Sequence, residues 1–178
     1  RGESEIPRKG GKIKRVWLEP NNPLAYPPTI QALLSADVII VGPGSLYTSI
    51  IPNLLVPDIA EAIRASRGLK FLICNVATQI GETEGYACSD HIKEIEKMIG
   101  NGIFDVIICN DKYDGRLPKD IDYVRIDAGL EEEYPIYSTN LSDLEAPWRH
   151  DSTKLAAAIL DLYNERTGPI VREMNSEL

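Results

Sequence analysis

Histidine is scarce in this sequence and paired cysteine is absent. With two histidines, His91 and His150, and three cysteines, Cys74, Cys88 and Cys109, none of them in a Cys-x-x-Cys pair, neither a zinc site of the usual spacing nor a disulfide framework is expected. Cys74 and Cys109 lie inside apolar runs and read as small buried hydrophobes, in keeping with a reducing cytoplasm. No apolar run approaches the roughly 18 residues of a spanning helix. The opening residues, Arg1-Gly2-Glu3-Ser4-Glu5-Ile6-Pro7, lack the apolar segment of a signal peptide. Basic residues are outnumbered, 19 against 27 acidic for a net charge of −8, which argues against bulk nucleic acid as a partner. The cluster Arg8-Lys9-Gly10-Gly11-Lys12-Ile13-Lys14-Arg15 reads as a solvated loop leading into a strand.

What is present is a globular composition. At 178 residues and 43% hydrophobic, the chain is long enough for one domain with its own core. Brief apolar runs at Ile13 to Leu18, Val38 to Val41, Phe71 to Val76, Val106 to Cys109 and Tyr123 to Ile126 predict strands. Val38-Ile39-Ile40-Val41 and Val106-Ile107-Ile108-Cys109 are continuous rather than alternating, as in parallel strands buried on both faces. Between them, helical spacing recurs over Pro28 to Ser35, Pro57 to Ser66 (with Gly68 placed to end it), Ala87 to Ile99, and near the end at Leu155, Ile159 and Leu162. Asp151 or Ser152 is the expected N-cap of that last helix. Strand alternating with helix predicts α/β, in three layers with right-handed crossovers. The acidic, turn-rich stretch from Asp111 to Arg149 reads as one short strand plus surface excursions. The organisation expected is one α/β domain over residues 1–167 and a frayed tail over 168–178.

Three places carry residues suited to chemistry. After the run ending at Val41 comes Gly42-Pro43-Gly44-Ser45, a turn expected at the carboxyl end of a central strand, with Ser45 placed to open the next helix. Glycines there let backbone N–H groups approach an anion, though the spacing and lysine of a P-loop are absent. The same residues equally suit a tight turn with no ligand. The second place is Asn75 to Thr83, where Asn75, Thr78, Gln79, Glu82 and Thr83 follow an apolar strand. Such amide and hydroxyl groups suit a sugar or a base, or else satisfy turns and caps. His91 falls in the first turn of the following helix and reads as a cap-region or half-buried residue. The third is Pro147-Trp148-Arg149-His150-Asp151, where a guanidinium ahead of a helix can fork onto a phosphate or carboxylate, or pair with nearby acids.

These places also carry a resemblance. The run from Gly42 to Val56, Gly-Pro-Gly-Ser-Leu-Tyr-Thr-Ser-Ile-Ile-Pro-Asn-Leu-Leu-Val, closely resembles the signature of the CofD-like superfamily, and most nearly its YvcK-type branch of gluconeogenesis factors. Asn75 through His91, Gly2-Glu3-Ser4 with Ile6-Pro7, and Arg149-His150 match further runs of that family. The resemblance implies a cytoplasmic, Rossmann-like three-layer α/β fold with a mostly parallel sheet. It implies binding of UDP-sugars, notably UDP-N-acetylglucosamine, by a regulatory factor of cell shape and gluconeogenic growth. The alternative it carries is a 2-phospho-L-lactate transferase acting on a deazaflavin, with magnesium. A third reading is a pure interaction module with no ligand. The family's ligand-contacting Arg corresponds to Arg149, whereas its ligand-contacting Tyr matches neither Tyr113 nor Tyr123. The family's glycine-rich element upstream of Gly2-Glu3-Ser4 is not in this sequence, so the chain is expected to be the C-terminal portion of a longer protein. The candidate ligand-binding set is therefore Gly42, Pro43, Gly44, Ser45, Thr48, Asn53, Asn75, Thr78, Gln79, Glu82, Thr83 and Arg149. No catalytic residue and no metal ligand is assigned. The partner expected is a nucleotide-sugar, without cofactor, Mg²⁺ entering only with the transferase alternative, and a homo-oligomer is left open.

Overall fold

The computed structural model describes Gly11 and residues 13–168. The Gly2-Glu3-Ser4 and Ile6-Pro7 matches, Arg8, Lys9, Gly10 and Lys12 of the basic cluster, and the tail beyond Gly168 lie outside the described residues.

Among the described residues four short parallel strands form one sheet: β1 (Val38–Val41), β2 (Leu69–Ile73), β3 (Val106–Asn110) and β4 (Ile136–Thr139), in the order β1-β2-β3-β4. Register runs through Ile40 opposite Phe71, Leu72 opposite Ile107 and Ile108 opposite Tyr137. The helices are α1 (Pro27–Ser35), α2 (Ile51–Leu54), α3 (Pro57–Ala65), α4 (Cys88–Ile99), α5 (Leu130–Glu133) and α6 (Ser152–Thr167), with a π-helical turn over Leu46–Ile50.

Side-chain alternation divides the core. Ile39, Val41, Leu72, Cys74, Ile107 and Cys109 face one side, against Ile63 of α3 and Ile92, Ile95 and Ile99 of α4. Phe71, Ile73, Val106 and Ile108 face the other, against Leu141 and α6 residues Leu155, Ala158 and Leu162. This is the three-layer α/β arrangement with a parallel sheet; β3 is buried on both faces as its continuous apolar run predicts, whereas β1, expected to be buried likewise, is not. β1 is an edge strand among the described residues rather than a central one, and its Ile40, turned toward the α6 side, is 41% exposed.

Other expectations are corrected. Ile13 to Leu18 forms no strand, because nothing in the sheet pairs with it; Ile13 and Val16 are held by packing against the core while Trp17 stays exposed. Tyr123 to Ile126 supplies only an isolated antiparallel bridge, Tyr123 to Ala77. The strand of the acidic region is instead β4, a half-exposed edge whose weak apolar content hid it. α3 stops at Ala65 with an extended Ser66 behind it, before Gly68 is reached. Asp151 caps α6 as expected, its carboxylate accepting from the Thr153 and Lys154 N–H groups at 2.9 and 3.1 Å. Among the described residues no helix is long and apolar enough to cross a membrane.

Candidate functional site

The loops after β1 and β2 leave the same edge of the sheet, as the carboxyl ends of neighbouring parallel strands must. Gly42 turns the chain out of β1 at φ +91°, where a Cβ would stand 2.9 Å from the Ile73 carbonyl, so only glycine fits. Ser45 then precedes the π-helical turn, its carbonyl accepting from Ser49 and Ile50 at 2.9 and 3.0 Å. Its side chain does not cap that turn; Ser45 Oγ instead accepts from Gln79 Nε2 at 2.8 Å.

A cleft of about 630 Å³ opens here, within the size range of small-molecule sites. Pro43, Gly44, Ser45, Asn75, Thr78, Gln79, Glu82 and Arg149 all line it, joined by Ile121, Trp148 and His150. Four of the candidate residues do not. Thr48 sits behind the wall, donating to Glu82 Oε1 at 3.1 Å. Thr83 is fully buried and its hydroxyl accepts from the Gln79 N–H at 2.9 Å. Gly42 and Asn53 border a separate hollow against α3, and the Asn53 amide donates to the Ser49 carbonyl at 2.7 Å.

Much of the wall is therefore self-braced. Glu82, buried, also accepts from the Tyr47 N–H at 3.4 Å. Thr78 exchanges bonds with Asp122, its N–H donating to the Asp122 carbonyl at 2.8 Å and its hydroxyl accepting from the Asp122 N–H at 2.9 Å. Burial first, then the Tyr86 hydroxyl 2.6 Å away, pushes the Tyr47 phenol far up, so it stays protonated. Gln79 keeps one amide atom, Oε1, buried without a hydrogen-bond partner.

The opposite wall belongs to the hairpin from Leu141 to Asp151, closed by the Ser142–His150 bridge. Asp143 shapes its turn by accepting from the N–H groups of Glu145 and Ala146 at 2.8 and 2.7 Å, which lowers its carboxyl. His150 Nε2 bonds the Cys74 carbonyl at 3.1 Å, tying the hairpin to the end of β2. Burial lowers the His150 imidazole, partly offset by that bond, so it stands neutral. The Arg149 guanidinium makes no hydrogen bond or ion pair among the described residues and stands exposed at the rim.

The tyrosines that resisted assignment are structural. Tyr113 donates to the Asn110 carbonyl at 2.8 Å under the Arg125 guanidinium, and Tyr123 clasps the backbone of Gly115 at 2.9 and 3.1 Å. A Cβ at Gly115 would lie 2.4 Å from Pro147, so this loop is locked against the hairpin that carries Arg149. Sequence reasoning missed Trp148 and Ile121 as lining; the only signal was an aromatic beside the Arg. It also missed that Cys74, Cys88 and Cys109 converge, all free and buried, with their sulfurs within 4.8 Å of one another. Hydrogen bonds with Cys74 and Cys88 lower the Cys109 thiol, while bonds with Cys109 and Cys88, and then burial, raise Cys74.

A parallel sheet between helical layers, with a polar cleft at the carboxyl edge of its strands, is the architecture of a Rossmann-like α/β protein. Comparison makes this specific: the family model described as 2-phospho-L-lactate transferase CofD matches residues 1–159, and the chain belongs to the CofD family. It is similar to the gluconeogenesis factor of Listeria monocytogenes, 41% identical over 172 residues, covering 93% of this chain and 53% of that protein. Against the gluconeogenesis factor of Bacillus subtilis it is 42% identical over 176 residues, covering 92% and 55%. A crystal structure of a Bacillus halodurans protein superposes with a TM-score of 0.77 at 40% identity, covering 89% of this chain and 54% of that one. The chain thus spans about half the length of the curated relatives it matches.

Proposed function

We propose that the cleft binds a nucleotide-sugar, with UDP-N-acetylglucosamine the leading ligand, and that the protein acts as a regulatory factor in gluconeogenic growth and cell shape. The observation carrying this reading is the Arg149 guanidinium, without a hydrogen bond or ion pair among the described residues, at a cleft rim that also holds the Gly44–Ser45 turn. A diphosphate suits that pair of groups, since a guanidinium forks onto phosphate oxygens and backbone N–H groups accept close approach of an anion. Asn75, whose amide has no hydrogen-bond partner among the described residues, and the orphan amide atom of Gln79 offer the complementary contacts a base or N-acetyl sugar needs. The relatives named gluconeogenesis factor supply the regulatory part of the reading.

The family description favours a second reading, phospholactyl transfer to a deazaflavin. That chemistry wants carboxylates for Mg²⁺ beside the phosphates. Among the described residues Glu82 is the carboxylate that lines the cleft, and it is engaged with Tyr47 and Thr48. The test is calorimetric titration of UDP-N-acetylglucosamine, GDP and a deazaflavin into this chain and into the chain extended to the length of its relatives. Binding of the UDP-sugar without turnover supports the regulatory reading. Deazaflavin binding with Mg²⁺-dependent transfer replaces it with the second, and no binding of any of the three by the extended chain overturns both.

A further inference from the structure

The three cysteines lie outside the cleft, and they come from three different elements. Cys74 follows β2, Cys109 is in β3 one position beyond the Ile73–Ile108 pairing, and Cys88 is the first residue of α4. All three are at most 2% exposed, and their sulfurs lie within 4.8 Å of one another. We propose that Cys74, Cys88 and Cys109 form a buried three-sulfur site for a soft monovalent ion, Cu(I).

Geometry and chemistry both select the ion. With metal–sulfur bonds of about 2.3 Å, a trigonal site needs sulfurs about 4 Å apart. The observed spacing closes to that by side-chain rotation of less than about 1 Å per pair, on a scaffold of two paired strands and a helix. Thiolates favour Cu(I), zinc and iron–sulfur clusters. Zinc in closed sites takes four protein ligands and iron–sulfur clusters four cysteines, and among the described residues the group has three members. Burial of the three sulfurs within the hydrophobic core disfavours a water in a fourth position, whereas Cu(I) is satisfied by three sulfurs. The ion's single charge offsets one thiolate, whose proton leaves to solvent as the ion binds, and any further deprotonation is stabilised in part by the amino end of the α4 dipole beside Cys88. Because the sulfurs are buried, loading takes place as the chain folds or as the first turn of α4 opens.

The test is competition for Cu(I) between the reduced full chain and a cuprous chelator under anaerobic conditions, with loading both of the native protein and during refolding. The expected result is about one Cu(I) retained per chain, with X-ray absorption showing three sulfur neighbours. Cys88→Ser, which keeps size and suits a helix start, is expected to weaken retention at least about tenfold, as is Cys109→Ala. Should Cys109→Ala fail to fold, the Cys88→Ser result and the sulfur count of the unaltered protein decide. No retention, retention unchanged in Cys88→Ser, or zinc held in preference to Cu(I) would overturn the proposal. So would a sulfur count below three.

Discussion

On one wall of the cleft the polar side chains of the β1 and β2 loops bond one another, Gln79 to Ser45 and Glu82 to Thr48 and the Tyr47 N–H. On the facing wall the Leu141–Asp151 hairpin bonds part of its own backbone and anchors His150 on Cys74, yet leaves the Arg149 side chain unengaged among the described residues. The first wall resembles a small core made of polar groups, whose bonds fix a shape. The second holds a charge in water that makes no hydrogen bond or ion pair among the described residues. A side chain whose bonds are already made contributes to folding; one left without a partner, on a rigid support beside a cavity, is available to something else.

The strongest challenge to this contrast is at the hinge of the braced wall. Gly42→Val places a branched side chain at φ +91° and against the Ile73 carbonyl, and should cost about 2–6 kcal/mol from backbone strain plus overpacking. Urea denaturation measures it, and a near-neutral result would mean the turn is not fixed. Next comes Glu82→Ala, which strips buried bonds from Tyr47 and Thr48 and should lower stability by about 1.5–3 kcal/mol. If the melt does not move, the two walls are alike after all.

Arg149→Ala should behave oppositely, changing stability by no more than about 0.5 kcal/mol. UDP-sugar affinity of the extended chain should fall roughly 10- to 150-fold, and Arg149→Lys should recover only part of it. Equal affinities across the three forms would remove Arg149 from the site. The smallest effect expected is a dependence on pH. Burial lowers both His91 and His150. The unfolded chain therefore takes up protons first, and stability present above the unfolded value of about 6.5 is lost as pH falls toward the folded values. His91 Nδ1 bonds the Ala87 carbonyl at 3.0 Å while Nε2 is buried without a partner, so charging the ring leaves a stranded N–H. Thermal melts between pH 5 and 8 of His91→Phe and the parent chain should show a shallower slope in the variant.

The strands that matter to the cleft were legible because β1 and β3 carry continuous apolar runs and β2, though it includes Lys70, runs apolar from Phe71 to Cys74 ahead of a polar turn. β4 was not, since Ile-Tyr-Ser-Thr at a half-exposed edge has neither a continuous run nor a clean alternation. Ile13 to Leu18 misled in the other direction: its composition suits a strand, but a strand exists only where a partner offers hydrogen bonds. For the cleft, the glycine turn and the Asn75–Glu82 stretch stood out because each comes directly after an apolar strand. Which of those polar residues brace the loops and which stay unengaged depends on contacts between residues far apart in the chain, such as Gln79 with Ser45. The meeting of Cys74, Cys88 and Cys109 was hidden for the same reason, because no local spacing links two strands and the start of a helix.

The peptide joining Cys74 to Asn75 separates two environments: the sulfur points into the core, the amide belongs to the cleft, and the carbonyl between them receives His150. Such a junction has no tolerance for a change in length. Adding or removing one residue after Ile73 would exchange the two sides, sending an amide among aliphatic side chains and a thiol into the cleft, and would move the anchor point of the facing hairpin. In a library of insertions and deletions this position should therefore behave as a frame marker, tolerant of conservative exchange and intolerant of any shift. The loop tip at Glu84–Gly85, exposed, should accept added residues more readily than this junction.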